Sequence, residues 1–270
     1  MPERYLSPAL RGREAVALTA PLQGVEAQIY DRLWNAILDR KLRPGTKLPE
    51  EEIGSAFKVS RTVVRKVLVI MEQQGIVHLP ANRGAYVAAP TPEEAMEAFE
   101  GSRVIATHIV GALAANPGQI SADARERLDA HYQAQQEAAA ANDYRAMRRL
   151  VVEFHVLLAI IYGNMTMASA QERLMMRGAM AITLYQEHLV QWPPHTPHRE
   201  LVELIFAGNV DGALAAVENL FRSAEASLRL APVDQTIDLE AILLGEEGPP
   251  PTPGLSKRYG KKTPGKTDKS

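Results

Sequence analysis

Apolar residues recur at helical spacing from Val25 through Ile29, Leu33, Ala36 and Ile37, which predicts a first helix ending near Asp39. Lys41-Leu42-Arg43-Pro44-Gly45 must stop it, because proline disfavours a helical residue before it and glycine permits a turn. Pro49 is expected in the first turn of a short second helix that ends near Lys58. Glu50, Glu51 and Glu52 favour its positive end. Ser60 is the expected N-cap of a third helix running to about Gln74 and closed by Gly75. Ile76-Val77-His78-Leu79 and Ala85-Tyr86-Val87-Ala88 then read as two short strands around the loop Pro80-Ala81-Asn82-Arg83-Gly84. Three helices and a small hairpin in about 65 residues form the winged helix-turn-helix pattern.

Pro90-Thr91-Pro92 is a stiff boundary, and beyond it the periodicity is helical. Helices are expected at 92–115, 121–141, 143–162, 165–190, 196–208 and 210–230, broken at Asn116-Pro117-Gly118, Gly163-Asn164, Pro193-Pro194 and Gly208-Asn209. Alanine and leucine are abundant and strand-type alternation is absent, so this part should be an antiparallel all-helical bundle. The fold is therefore expected to be mainly α, in four segments. These are a flexible arm (1–21), a winged helix domain (22–89), a helical domain (90–231) and a disordered tail (232–270). Leu239 to Leu244 is a short apolar stretch within that tail.

The chain has 270 residues and 46% hydrophobic residues, enough for two domains with cores of their own. Cysteine is absent, which excludes disulfides, thiolate zinc sites and cysteine nucleophiles, and fits a reducing cytoplasm. No apolar run suits a signal peptide or a membrane span, so the expected location is cytoplasmic. The net charge of −2 hides an asymmetry. Residues 22–89 carry ten Lys/Arg against seven Asp/Glu, whereas residues 90–231 carry eleven against seventeen. A polyanion is thus expected at the N-terminal end only.

Position sharpens that expectation. In a helix-turn-helix the N-terminal residues of the third helix meet base edges in the major groove. Here that stretch is Ser60-Arg61-Thr62-Val63-Val64-Arg65-Lys66. Arg61 and Arg65, four apart, share a face, while Val64, Val67, Leu68 and Met71 occupy the other. A guanidinium pairs with guanine O6 and N7 together. Thr62 suits a thymine methyl or a phosphate, and Ser60 a phosphate. Arg43 and Lys47 suit backbone contacts. Arg83, on a wing with Asn82 and Gly84, suits a narrow minor groove.

These residues carry a resemblance. Residues 24–88 resemble the winged-helix domain of the GntR family of bacterial transcription regulators. That family's pattern has a Pro-Gly turn, a leucine, a short acidic helix, Val-Ser-Arg-Thr-Pro-Val-Arg-Glu-Ala-Leu, and a wing ending Arg-Gly-x-x-Val. The corresponding stretches are Arg43-Pro44-Gly45 with Leu48, Val59 to Leu68, and Arg83-Gly84-Ala85-Tyr86-Val87. Val63, Lys66 and Val67 depart from it without removing an arginine. Glu51 stands where many relatives have a DNA-contacting arginine, so operator preference should differ. The resemblance implies that Arg61, Arg65 and the wing at Arg83-Gly84 carry recognition.

To about residue 230 the chain is similar to the helical FCD effector domain of the FadR-type branch. The anchors are Arg103, Phe154-His155 with Asn164, and His198-Arg199 followed by Leu201, Ile205 and Ala207-Gly208-Asn209. Many such domains hold a divalent metal, zinc or nickel, with an aspartate and three histidines. Val151 and Leu220 stand at two of those positions, leaving His155 and His198 as an incomplete set. His188 or His195 would substitute only through loop geometry. The resemblance then implies a metal-free pocket in which Arg103, His155 and His198 clamp an anionic effector such as an organic acid. Each histidine would otherwise be a hydrogen-bonded bundle residue, and Arg103 would otherwise pair with an internal glutamate. The Met165 to Met180 cluster reads as adaptable core, and Arg148-Arg149 as a solvated face.

The function expected is a homodimeric regulator of transcription, a repressor more readily than an activator, that reads an inverted-repeat operator and answers to a small molecule. The alternatives are an effector-independent DNA binder whose bundle only dimerises and, more remotely, a helical-bundle enzyme. Against an enzyme stands the lack of a Ser-His-Asp order, phosphate loop or dinucleotide glycine pattern.

Overall fold

The computed structural model describes residues 5–10, 22–185 and 197–228. The winged helix domain opens with α1 (Val25–Leu38), whose buried stripe includes Ile29, Leu33 and Ile37. After it, β1 (Lys47–Leu48) leads into α2 (Glu50–Phe57) and α3 (Arg61–Gln73). Pro49 is the N-cap of α2 rather than part of its first turn, and Ser60 is the N-cap of α3 without a side-chain capping bond. The turn between these helices depends on Gly54, where a Cβ would lie 2.9 Å from the Val59 carbonyl oxygen. The wing is formed by β2 (Val77–His78) and β3 (Ala85–Val87). Strand β1, unexpected from the sequence, pairs antiparallel with β3, so the sheet order is β1-β3-β2.

The helical domain comprises α4 (Pro92–Ala115), α5 (Ala122–Ala140), α6 (Tyr144–Tyr162), α7 (Met165–Tyr185), α8 (Pro197–Phe206) and α9 (Val210–Ala226). A single 3-10 turn, Pro117–Gln119, follows α4. Helix α4 starts where the sequence predicts because Thr91 and Glu94 form a reciprocal capping box with Pro92 at the first helical position. Ser121, Asp143 and Asn209 cap α5, α6 and α9 with their side chains. Helix α4 packs against α6, α7, α8 and α9 and forms the middle of the bundle. Among the described residues no helix is long and apolar enough to cross a membrane.

One continuous core runs through both parts, from Ile29 and Trp34 to Phe154 and Phe221. The seam between them is also ionic. Arg149 on α6 pairs with Asp31 on α1 at 3.2 Å, and Arg145 pairs with Asp39, just beyond α1, at 3.2 Å. Tyr185 donates to the Pro90 carbonyl at 2.9 Å.

Residues 5–10 correct the expectation of a flexible arm. The Glu153 carboxylate accepts the Leu6 N–H at 3.0 Å and the Ser7 N–H at 2.7 Å. Ser7 Oγ lies 2.8 Å from His131 Nδ1, and Arg127 Nε donates to the Ala9 carbonyl at 3.1 Å. Ala9 and Leu10 are buried in the core. This strap supplies the hydrogen bonds of a buried carboxylate on which α6 itself acts only through the charge of Arg149, one turn back. Residues 11–21, Leu239–Leu244 and the rest of the expected tail lie outside the described residues.

Candidate functional site

Helix α3 is two-faced. Val64, Val67, Leu68 and Met71 are buried, whereas Arg61, Thr62 and Arg65 are exposed, as is Ser60 before them. The two guanidinium groups share an anchor. Arg65 Nη1 donates to Glu50 Oε1 at 2.7 Å, and Arg61 Nη2 reaches Glu50 Oε2 at 3.5 Å. The Glu50 side chain is only 7% exposed, whereas those of Arg61 and Arg65 are 71% and 64% exposed. A buried carboxylate at the start of α2 thus aims two solvated cations, which limits the freedom a ligand would otherwise have to freeze. Sequence reasoning assigned Glu50 only to the helix end and missed this tether. Lys66 points elsewhere and pairs with Glu26 at 2.7 Å.

Asn82, Arg83 and Gly84 form the exposed tip between β2 and β3. The backbone there is left-handed at Asn82 (φ 59°) and Gly84 (φ 84°), where asparagine and glycine are tolerated best. Pairing of β1 with β3 places exposed Lys47 opposite Tyr86, with its Cε 3.8 Å from where a Gly84 Cβ would lie. Arg43 is half-buried in the turn before β1.

The helical domain holds a second site, a partly open cavity of about 420 Å³ between α4, α6, α7, α8 and α9. Its walls are largely apolar, with Phe99, Leu174, Ile182, Leu220 and Phe221 prominent. His155 and His198 both line it, their rings edge-to-face at 5.8 Å. His198 stacks on Phe154 at 4.0 Å, and its Nδ1 lies 2.8 Å from Gln135 Nε2. Burial pushes His155 down to about 4; burial, then His155 and His131, hold His198 well below the usual imidazole range. At neutral pH both rings are uncharged.

Two expectations need correction. Arg103 does not line the cavity; it pairs with Glu218 at 3.0 Å, the internal-glutamate alternative. Arg148 and Arg149 are not a solvated face but are 8% and 7% exposed. Arg148 lines the cavity and donates through Nη1 to Thr183 Oγ1 at 2.9 Å. Burial, with Arg40 nearby, pushes it down to about 10, so it stays charged at neutral pH. A signal was available: Arg148, Val151, Val152 and His155 fall at i, i+3, i+4 and i+7, one stripe of α6 that all lines the cavity.

The residues present do not fit the metal centre that the FCD resemblance suggests. Val151 and Leu220 contribute apolar surface to the cavity, and two edge-to-face imidazoles are too few donors for zinc or nickel. Among the described residues no three His, Cys, Asp or Glu side chains converge. His188 and His195 lie outside the described residues. The methionines behave as packing: Met175, Met176 and Met180 are buried, and Met165 is exposed.

The family model for bacterial regulatory proteins, gntR family, matches residues 25–87, and that for the FCD domain matches residues 104–223. The HTH-type transcriptional repressor RspR of Escherichia coli (strain K12) is 37% identical over 67 residues, 25% of this chain and 29% of that protein. The Uxu operon transcriptional regulator of the same strain is 37% identical over 76 residues, 28% of each chain. The alignments thus span under a third of these curated relatives. A solved GntR transcriptional regulator from Rhodococcus sp. RHA1 matches with a TM-score of 0.62 and 24% identity, over 74% of this chain and 95% of that one. The E. coli McbR/YncC structure gives a TM-score of 0.60 at 15% identity, over 76% and 96%. Both solved structures share the fold.

Proposed function

Because this chain belongs to the GntR family of bacterial regulatory proteins and carries the FCD domain, we propose that it is a sequence-specific DNA-binding transcription regulator. It acts as a homodimer on an inverted-repeat operator, with one α3 per half-site, about 34–36 Å apart or a multiple of that. The observation that carries this reading is the pair of exposed guanidinium groups at the start of α3, tethered to buried Glu50. Lys47 and the Asn82-Arg83-Gly84 tip supply the accompanying backbone and minor-groove contacts. Repression is the mode favoured by the names of two relatives, RspR and the arabinose metabolism transcriptional repressor of Geobacillus stearothermophilus.

The helical domain sets operator affinity through a small anionic molecule held in its cavity. By linkage, DNA and effector then oppose each other's binding by the same factor. Fluorescence anisotropy with DNA from upstream of the chain's own gene tests the reading. Arg65→Ala should weaken specific binding by roughly 1–3 kcal/mol with the fold intact. Equal losses on unrelated DNA would move Arg65 to phosphate contact, and no binding by the intact protein to any promoter fragment would refute a regulator.

A further inference from the structure

Residues 5–10 are held as a ligand is held, by side chains gathered from three helices of the bundle. Glu153 on α6 accepts two successive amides, those of Leu6 and Ser7. On α5, His131 meets the Ser7 hydroxyl and Arg127 holds the Ala9 carbonyl. Tyr5 donates to Glu172 on α7 at 3.1 Å. Glu153, Glu172 and His131 are buried, and Ser7 is wholly so. Burying such groups costs stability, and packing a short piece of chain against a bundle does not require them. Resting on the regulator reading for its use, though not for its structure, we propose that this slot between α5, α6 and α7 is a docking site for the chain's own N-terminal segment, and that the docked strap clasps the winged helix to the bundle in the orientation that reads an operator.

Three observations carry this. First, the strap touches both parts of the molecule: Tyr5 shares a crevice with Tyr30 and Trp34 of α1 and with Val156 and Met176 of the bundle. Second, the strap and α1 are held by neighbouring side chains of α6. Glu153 takes the strap amides, and Arg149, one turn earlier, takes Asp31 of α1. The charge of Arg149 acts on Glu153 as well as on Asp31. Withdrawal of the strap deprives the buried carboxyl group of two donors and leaves it competing with Asp31 for Arg149, which slackens the hold on α1. Third, the winged helix is attached to the bundle at two points of the chain, the strap ahead of it and Pro90-Thr91-Pro92 behind it.

Between those points the winged helix meets the bundle chiefly through α1 against α7, with the Arg145–Asp39 pair and the Tyr185–Pro90 bond beside it. Contacts of this kind permit relative motion of two domains unless a further element spans them. An inverted repeat asks two α3 helices to meet two half-sites at one spacing, so a winged helix that turns freely must first be ordered, at a cost in affinity. A single half-site makes no such demand.

The chain has no cysteine, so Ala81→Cys in the wing loop and Asp211→Cys at the start of α9, both at exposed positions, give labelling sites without background. Electron-spin distances between the two labels, in the full chain diluted with unlabelled chain, report how the wing sits on the bundle. The distribution should be narrow with the wild-type strap and should widen with Ser7→Pro, which removes one of the two amides on Glu153. Glu153→Leu removes the anchor without leaving a buried charge behind and should widen it too; this variant decides if Ser7→Pro does not fold. On an inverted repeat footprinted upstream of the chain's own gene, both variants, unlabelled, should bind about tenfold more weakly than wild type, whereas one half-site alone should bind all three equally. The clasp is overturned by unchanged distributions, by a wide distribution in the wild type, or by an equal loss on the half-site, which marks a general weakening of the fold. DNA binding with unchanged distributions overturns the clasp alone, and widened distributions with no DNA binding by any form overturn the regulator alone.

Discussion

Glu153 offers a stringent test of how the strap is held. The residue is 4% exposed, and its carboxyl group sits between α6 and the Leu6 and Ser7 amides. Burial pushes its pKa up to about 7, against the lowering effect of those two amides and of Arg149. The folded state therefore favours the protonated acid. Its contribution is fully present below the usual carboxylate pKa of 4.5 and is lost as pH rises through about 7. At about 1.4 kcal/mol per pKa unit the full effect is roughly 3 kcal/mol, of which roughly 2–3 kcal/mol falls between pH 5 and 8. Glu153→Gln keeps the shape and one acceptor but cannot ionise. Urea unfolding of both proteins at several pH values isolates the term. The wild-type advantage over the variant should shrink by that amount on going from pH 5 to pH 8. Parallel curves would refute the reasoning and show that the strap amides hold the carboxylate ionised throughout.

Chelator treatment should leave melting temperature and DNA affinity nearly unchanged, because Val151 and Leu220 stand at two ligand positions; a large drop reversed by zinc or nickel would show that donors outside the described residues complete a metal site. Thr91→Ala removes the side-chain half of the capping box at α4 and should cost about 1 kcal/mol in chemical unfolding, with the Kd for DNA under native conditions unaffected.

The elements that sequence periodicity placed well are those whose signals are local. Pro92 with the Thr91-Glu94 box sets the start of α4, Gly163 (φ 88°) closes α6, and Gly84 (φ 84°) shapes the wing, each decided within a few residues. The apolar stripe of α3 likewise sends Arg61 and Arg65 outward without help from elsewhere. What the sequence hid is non-local. Two-residue β1 has no alternation to detect and exists because β3 pairs with it. Arg148 and Arg149 look like ordinary surface charge until Asp31, Asp39 and Thr183 arrive from elsewhere in the fold. The strap at 5–10 lacks periodicity, and its order comes from a carboxylate about 150 positions away along the chain. For Arg103, family position suggested the cavity, whereas α9 supplies Glu218 as a partner outside it.

Val152 has a double membership that gives the molecule a built-in optical reporter. It lines the cavity together with Arg148, and it also walls the small crevice at the seam that contains Trp34 and Tyr30 of α1. Trp34 is 1% exposed, and the chain's other tryptophan, Trp192, lies outside the described residues. One valine thus separates an occupant of the cavity from an indole rooted in the DNA-binding domain. In a Trp192→Phe background, which leaves Trp34 as the one indole, its emission maximum and quenching by acrylamide should register cavity filling with no dye or label attached to the protein.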